Sequence, residues 1–427
     1  MQRLLIRNIS RLVSCDEQDT VYENVALYAE DGVIRAIGQK LDRQADETLN
    51  ASHMLCYPGL VNTHHHLYQQ FSRNLPQVQN MELFDWLKTL YELWKNLDED
   101  VIRLSSLTGM GELMKHGCTT CFDHHYVFPA GSGDLIGAQF EAASQLGMRM
   151  HCSLGSMDLS VKDGGLPPDS VVQTVDAIMN DSARLIETYH DPSFGSMRQV
   201  ALAPCSPFSV SAELLRQSAI LARQYHVRLH THLCETKDEE TYMLAREGMR
   251  PLAFMQTLGW TGPDVWYAHG IHFNDEELRL LAETGTGVCH CPASNMKLSS
   301  GIARIPDMLK LGVPVGLGVD GSASNDGSSL MEEMRTAFLL HRLHSSREAP
   351  TGYDILTLAT RGSARLLGRS DIGSLAAGKC CDLFLIDSRR LELVGACYDP
   401  KSVLATVGVR GPVDYTVVNG KITVREG

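Results

Sequence analysis

Residues 59–66 read Gly-Leu-Val-Asn-Thr-His-His-His, a short apolar run that ends in three consecutive histidines. The run follows Pro58 and has the length and composition of a buried β-strand. Because successive side chains of a strand point to opposite faces, His64 and His66 share one face and His65 points to the other. The sequence therefore predicts two imidazoles that converge where this strand ends.

Further runs of this kind follow along the middle of the chain. They alternate with helical stretches, which is the pattern of a parallel sheet made of βα units. Together with the first run, the predicted strands are Gly59–His66, Thr119–His124, Met148–Ser153, Val200–Pro204, Val227–His232, Val265–His269, Gly287–Cys291 and Val315–Asp320. Eight such units predict an α/β fold, a (β/α)₈ TIM barrel, whose chemistry lies at the C-terminal ends of the strands.

Strand-like runs with turn signals also occupy both ends of the chain. These runs are Leu4–Asn8, Arg11–Val13, Asn24–Ala29, Val33–Ile37, Asp382–Asp387 and Asp414–Val424. Asp31-Gly32 and Asn419-Gly420 are typical of tight hairpin turns. We therefore predict one small β-sandwich domain made of residues 1–58 and 373–427, and a barrel domain made of residues 59–372.

Composition excludes several classes of function. The 427 residues include 38 Lys or Arg and 51 Asp or Glu, so the formal charge is −13, and no basic cluster suited to a nucleic acid polymer occurs. No apolar run approaches a membrane span, and the N-terminus lacks a signal-peptide core. The twelve cysteines are spread along the chain, as is typical of reduced interior thiols. We expect a cytoplasmic protein that acts on a small molecule.

Three more predicted strands end in residues that bind metals. The fifth ends at His232, the sixth at His269 and the eighth at Asp320. In a barrel these positions meet the His64 and His66 pair at one mouth. Imidazole and carboxylate ligands suit Zn²⁺ or a similar divalent ion, with one position left for water. The sequence thus predicts a metal site.

The whole chain resembles the amidohydrolase superfamily, specifically its metal-dependent deaminase and chlorohydrolase branch. The motifs that carry this resemblance are Pro58–His66, His232-x-x-Glu235, Trp266–His269, His290–Asn295 and Gly318–Gly321. The resemblance implies the barrel with a split β-sandwich. It also implies an enzyme that hydrolyses C–N bonds in cyclic amidines.

The resemblance further assigns roles to individual residues. It implies one divalent metal ion, Zn²⁺ or alternatively Fe²⁺, bound by His64, His66, His232 and Asp320. Glu235 is then the proton shuttle, and His269 orients or polarises the substrate. Asp320 is also placed to receive the first proton from the attacking water.

Other histidines near the predicted strand ends are harder to assign. His230 shares the strand face of His232 but lies deeper, so we expect it to support a ligand or to pack in the core. We expect a structural or supporting role for His290. His124 and His125 end the second strand, and either can line the pocket.

Alternative functions follow from the same residues. Cyclic amidases of this superfamily use two metals bridged by a carboxylated lysine on the fourth strand, but Ala201–Cys205 contains no lysine. This favours a deaminase with one metal. A cyclic amidase, a chlorohydrolase and a non-catalytic metal-binding relative remain alternatives.

Four short segments of the sequence narrow the range of candidate substrates. Asn62–Gln69, Asp123–Tyr126, Asp163–Ser170 and Ala203–Val210 resemble the 8-oxoguanine deaminases. This implies deamination of free 8-oxoguanine to urate and ammonia. Gln69 is expected to bond the base edge, and Tyr126 and Cys205 are expected to line the pocket. Because Cys234–Lys237 departs from the pattern beside the acid, a cytosine-like base, a pterin and an aminotriazine remain alternative substrates.

Residues 81–97 carry an apolar stripe at helical spacing, formed by Leu83, Trp86, Leu87, Leu90 and Trp94. Such a stripe packs either in the core or against a second subunit. We favour the core, and the alternative allows a homo-oligomer.

Overall fold

The structure of the protein is a computed structural model that describes residues 2–427. The strands in this range are β1 (Arg3–Val13), β2 (Val21–Glu30), β3 (Val33–Gly38), β4 (Glu47–Asn50), β5 (Met54–Pro58), β6 (Leu60–Asn62), β7 (His65–His66), β8 (Cys118–His125), β9 (Arg149–Ser156), β10 (Arg198–Pro204), β11 (Arg228–Leu233), β12 (Val265–His269), β13 (Gly287–His290), β14 (Val315–Leu317), β15 (Asp320–Gly321), β16 (Leu383–Asp387), β17 (Tyr415–Val418) and β18 (Lys421–Arg425).

The α-helices of the same range lie mainly between the strands of the middle region. They are α1 (Leu83–Trp94), α2 (Glu99–Lys115), α3 (Leu135–Leu146), α4 (Val175–Tyr189), α5 (Ala212–Tyr225), α6 (Lys237–Glu247), α7 (Pro251–Thr257), α8 (Asp275–Thr284), α9 (Pro292–Lys297), α10 (Ile305–Leu311), α11 (Ser322–Asn325), α12 (Leu330–Ser345), α13 (Gly352–Thr357), α14 (Ser363–Leu366) and α15 (Val403–Thr406). Shorter 3₁₀ turns include Leu67–Ser72, which directly follows β7.

The middle of the chain forms a nearly closed parallel barrel. Its eight strands run in the order β6, β8, β9, β10, β11, β12, β13 and β14, so each strand pairs with its neighbour along the sequence. The backbone N–H of Thr63 donates to the carbonyl of Leu317 at 3.2 Å, and β7 pairs with β15, which joins the first and last strands. The predicted (β/α)₈ barrel is confirmed.

The first and eighth barrel strands are interrupted, whereas the sequence predicts both to be continuous. Val315–Asp320 divides at Gly318 and Val319, between β14 and β15, and Asp320, which begins β15, has a left-handed backbone conformation with φ 63°. Asn62 holds the two interruptions together: its Oδ1 accepts from the Val319 N–H at 2.9 Å, and its Nδ2 donates to the His64 carbonyl at 3.2 Å. The interruptions bring His64 and Asp320 face to face.

Both chain ends contribute to a second sheet, in the order β18, β17, β16, β5, β1, β2 and β3, with β4 paired to β1. The predicted turns at Asp31-Gly32 and Asn419-Gly420 are confirmed, since both residues of each pair have positive φ. Separate strands at Leu4–Asn8 and Arg11–Val13 are a wrong prediction. They form the single strand β1, in which a bulge between Ile6 and Ile9 accommodates the positive φ of Asn8. On the basis of this sheet we propose the division that the sequence predicts, into one β domain made from both chain ends and a barrel domain of residues 59–372.

A buried ion pair connects the barrel to the terminal sheet. Arg149 on β9 is fully buried and pairs with Asp382, which is 3% exposed and directly precedes β16. The Arg149 Nε–H donates to the Ser196 carbonyl at 3.0 Å, and Asp382 Oδ1 accepts from the Asn419 N–H at 2.6 Å. The two sheets are thus joined by charged groups that have no access to water.

None of the helices in residues 2–427 combines the length and the apolar character that crossing a membrane requires. All twelve cysteines are free thiols, and eleven of them are buried. Burial raises the pKa of Cys118 to about 12, so this thiol stays protonated and unreactive at neutral pH.

Removing the charge of Asp382 should destabilise the fold, because it leaves the Arg149 guanidinium buried without a counter-charge. We expect Asp382→Asn to lower the free energy of unfolding by about 3–5 kcal/mol, measured by urea denaturation. Asp181→Asn is the control, since Asp181 pairs with the half-exposed Arg184 and should cost less than about 1 kcal/mol. Equal losses in the two variants would contradict the role of the buried pair.

Candidate metal centre and active site

Three imidazoles and a carboxylate converge at the C-terminal mouth of the barrel. Asp320 Oδ1 lies 3.3 Å from Nε2 of both His64 and His66. The Nε2 atoms of His66 and His232 are 3.1 Å apart. All four side chains are buried. The structure therefore brings together the four residues that the sequence predicts as ligands.

Backbone carbonyls orient two of these imidazoles. The Nδ1–H of His66 donates to the carbonyl of His124 at 2.7 Å, and the Nδ1–H of His232 donates to the carbonyl of Cys205 at 2.6 Å. A carbonyl can only accept, so the proton of each neutral ring is on Nδ1. Each Nε2 then presents a lone pair to the centre of the site.

A relay through His230 orients the third imidazole. The His230 Nδ1–H donates to the carbonyl of Trp266 at 2.9 Å, so its Nε2 accepts from the His64 Nδ1–H at 2.9 Å. Nε2 of His64 has no hydrogen-bond partner among the described residues. Burial lowers the pKa of His64 to about 3, which keeps the ring neutral. His230 therefore supports a ligand, as its strand position predicts.

This arrangement fits a divalent metal ion. Two lone pairs 3.1 Å apart repel each other unless a cation lies between them. Three neutral imidazole nitrogens and one carboxylate oxygen are a donor set that binds Zn²⁺ and related ions. The anchoring of each Nδ1–H is the support that such ligands usually have.

Glu235 and His269 lie beside this cluster. His269 Nε2 is 3.5 Å from Glu235 Oε2 and 3.9 Å from Asp320 Oδ2. Burial raises the pKa of Glu235, although the nearby His269 opposes the effect. Burial alone would lower the pKa of His269, but Glu235 and Asp320 raise it. Burial therefore favours the protonated form of the Glu235 carboxyl group more than water would.

Two supporting residues were not assigned from the sequence. Both carboxylate oxygens of Glu239 accept backbone N–H groups, from Cys234 at 2.9 Å and from Glu235 at 3.0 Å. Asn295 Oδ1 accepts from the His269 Nδ1–H at 2.9 Å, which directs His269 Nε2 into the site. Asn295 ends the His290–Asn295 motif, which was a usable signal, whereas the sequence offers none for Glu239.

A cavity opens above the cluster. Gln69, Tyr126 and Cys205, the predicted substrate-binding residues, all line it. Phe208 lines it as well. The cavity therefore joins the predicted pocket residues to the predicted metal site.

The orientation of Gln69 in this cavity is fixed by the backbone. Its Oε1 accepts from the N–H of Ala323 at 3.3 Å, which leaves its Nε2 as a donor toward the cavity. Gly321 makes this possible, since a Cβ at that position would lie 1.9 Å from the amide oxygen. Gln69 can therefore recognise a carbonyl or ring-nitrogen acceptor on a bound molecule.

The apolar stripe of residues 81–97 forms α1, and its predicted place in the core is confirmed. Leu90 and Trp94 pack inside, at 1% exposure each. Leu83, Trp86 and Leu87 line the cavity, a role that the helical periodicity did not reveal. A homo-oligomer stays a prediction.

The remaining histidines lie outside the cavity wall. His124 is buried beside the cluster, with its Nε2–H donating to the carbonyl of Ala203 at 2.7 Å. His125 contacts the Val127 carbonyl at 2.9 Å, on the other face of β8. His290 pairs with His341 at 3.1 Å. His125 and His290 are thus held by packing contacts, whereas His124 has an Nδ1 without a partner among the described residues and presents a ring nitrogen within 4.8 Å of those of His64, His66 and His232.

Comparison with known proteins adds independent information. The profile of the amidohydrolase family matches residues 55–423. The chain is 46% identical to 8-oxoguanine deaminase of Pseudomonas aeruginosa, over 100% of this chain and 95% of the relative. It is 42% identical to hydroxydechloroatrazine ethylaminohydrolase of Pseudomonas sp. strain ADP, over 100% and 92%. Atrazine chlorohydrolase of Arthrobacter aurescens TC1, solved in complex with zinc, superposes with a TM-score of 0.95 at 33% identity and covers 99% of this chain and 95% of that chain.

Metal analysis should find about one equivalent of a divalent ion per chain, because the lone pairs of His64, His66 and His232 and the Asp320 carboxylate surround a single centre. His64→Ala should lose both the metal and the activity, measured by elemental analysis and ammonia release on the same sample. His116→Ala, at the residue that directly follows α2 and lies away from the site, should keep both. A second equivalent at full occupancy would contradict the single centre.

Proposed function

The chain belongs to the amidohydrolase family, and we propose that it deaminates free 8-oxoguanine to urate and ammonia with one bound Zn²⁺. Fe²⁺ is the alternative ion. The observation that carries the proposal is the juxtaposition of Glu235, a buried carboxyl group with a raised pKa, with three imidazole lone pairs and Asp320. The similarity to 8-oxoguanine deaminase supports the choice of substrate.

His64, His66, His232 and Asp320 would hold the ion. When bound, a divalent ion lowers the pKa of water enough to supply hydroxide near neutral pH. The carboxylate of Asp320 accepts the proton that this water releases. His269, directed by Asn295, polarises the substrate beside the reacting carbon.

Glu235 supplies the protons that the ring and the leaving group require. It donates a proton to the ring nitrogen next to C2 as the C–O bond forms. Its carboxylate then takes the proton of the new C2 hydroxyl and passes it to the amino group, and the proton held by Asp320 restores Glu235 at the end of the cycle. The C2–N bond then breaks and the amine leaves as ammonia. One 8-oxoguanine and one water thus give one urate and one ammonia.

The cavity wall supports a flat heterocycle. Gln69 Nε2 can donate to the C6 carbonyl of a purine, since its Oε1 accepts from the Ala323 N–H. Phe208 offers an aromatic surface for the ring. Because the Gln69 amide presents a donor, it favours a ring with a carbonyl acceptor at the edge that faces Gln69, such as a lactam. A ring that has only donors at that edge would leave the Gln69 donor unpaired.

An alkylaminotriazine is the second candidate substrate. The similarity to hydroxydechloroatrazine ethylaminohydrolase favours it, and so does the apolar part of the wall. Leu83, Leu87 and Leu298 line the cavity and would accommodate alkyl substituents. The same catalytic residues would act, because a triazine carbon bearing an amine also adjoins a ring nitrogen.

Glu235→Gln should keep the metal and lose about 10² to 10⁴ in kcat, because the amide preserves the shape but cannot shuttle protons. Steady-state ammonia release and metal content measure the two effects. Glu276→Gln, an exposed position at the start of α8, is the matched control and should behave like the parent enzyme. Near-normal turnover by Glu235→Gln would exclude Glu235 from the mechanism.

An ammonia-release screen of purines, pterins, pyrimidines and triazines should give the highest kcat/KM with 8-oxoguanine. Guanine lacks the C8 oxygen and should be a markedly poorer substrate, because a group placed to bond that oxygen would stay unpaired. A clearly higher kcat/KM for isoxanthopterin, a 5-substituted cytosine or an aminotriazine would overturn the substrate proposal. Turnover of only a cyclic amide or a chlorinated ring would overturn the deaminase proposal.

A further inference from the structure

The four tryptophans differ in how their indole N–H groups are satisfied. Trp94 donates to the Ser72 hydroxyl at 3.1 Å, Trp260 to the Leu215 carbonyl at 2.8 Å and Trp266 to the Thr63 carbonyl at 3.2 Å. Trp86 Nε1 is buried and has no acceptor among residues 2–427. Buried donors are nearly always paired, so this exception calls for a partner.

Trp86 is also the one tryptophan of the four that lines the cavity. It lies on α1 between Leu83 and Leu87, which line the cavity with apolar atoms alone. The Trp86 N–H is therefore the only polar side-chain group that the α1 wall can offer to a molecule in the cavity. A bound molecule is the available source of the missing acceptor.

The indole lies in a part of the cavity away from the imidazoles. Within the described chain the Trp86 ring packs edge to face against Trp94 at 5.4 Å and makes no ring contact with His66, His232 or His269. The rings of those three histidines pack against one another and against His64, His124, Tyr68 and Tyr126. A substrate that places its reacting carbon beside Glu235 and His269 therefore presents its remote ring toward α1. An acceptor on that ring would meet Trp86.

We propose that Trp86 determines specificity by donating its Nε1–H to an oxygen on the ring remote from the reacting carbon. This inference rests on the proposed function, and in 8-oxoguanine the oxygen is O8. Guanine presents a C8–H group there and leaves the donor without a partner. An apolar wall with one unpaired donor selects for that single oxygen.

Trp86→Phe tests the proposal, because phenylalanine keeps an aromatic ring and removes the N–H. Two ratios are measured, each comparing a purine that carries the C8 oxygen with one that lacks it. The first is kcat/KM for 8-oxoguanine over kcat/KM for guanine, and the second is the affinity for urate over the affinity for xanthine, from their Kd values. We expect the parent enzyme to prefer the oxygenated member by about tenfold or more, and Trp86→Phe to lower each ratio at least about fivefold. Trp94→Phe removes a satisfied N–H outside the cavity wall and should keep the parent ratios.

A second measurement uses the unmutated chain. With ¹⁵N-labelled indole groups, the Trp86 N–H resonance should move downfield on titration with urate, and xanthine should cause a much smaller change. Unchanged ratios in a folded Trp86→Phe, or equal resonance shifts for the two products, would overturn the role of Trp86 and leave the deaminase proposal intact. An unmutated enzyme that neither binds nor deaminates any of these purines would overturn both.

Discussion

The site depends on one constraint, which is that each of the three imidazoles proposed as ligands has its Nδ1–H fixed by an acceptor from another part of the barrel. The carbonyls of His124 and Cys205 fix His66 and His232 directly, and the Trp266 carbonyl fixes His64 through His230. These acceptors lie at or near the ends of neighbouring parallel strands. The barrel therefore sets the protonation pattern as well as the positions of the ligands, and leaves three lone pairs directed at one centre.

Closure of the barrel adds the carboxylate to this centre. The first and eighth strands separate before they would complete a regular ladder, and Asn62 bonds across the gap to Val319 and to the His64 carbonyl. The strained φ of Asp320 turns its side chain toward His64 and His66. An interruption in the sheet is thus what allows a strand end to become part of the site.

The residues proposed for catalysis and those proposed to contact the substrate come from different parts of the chain. Glu235 and the ligands come from barrel strand ends and the positions beside them, where the backbone is held by the sheet and by Glu239. Three residues of the cavity wall, Leu83, Trp86 and Leu87, come from α1, a helix inserted between the first two barrel strands. Changes on α1 can therefore alter the pocket without moving the metal ligands, which is consistent with relatives in this family that act on different ring systems.

The sequence alone determined the elements whose signals are local. Alternation within residues 59–66 separates His65 from its two neighbours, and hairpin turns such as Asn419-Gly420 require backbone conformations that few residues favour. The strand ends placed metal-binding residue types at one mouth, because parallel strands of a barrel end on the same side, and the resemblance to the amidohydrolase superfamily selected the proposed ligand set from them. Only the tertiary structure decided which helix covers the pocket, that Asn295 and Glu239 hold the catalytic groups, and that Trp86 lacks an acceptor. These facts depend on contacts between distant segments and on side-chain orientation, which the periodicity of a single segment does not encode.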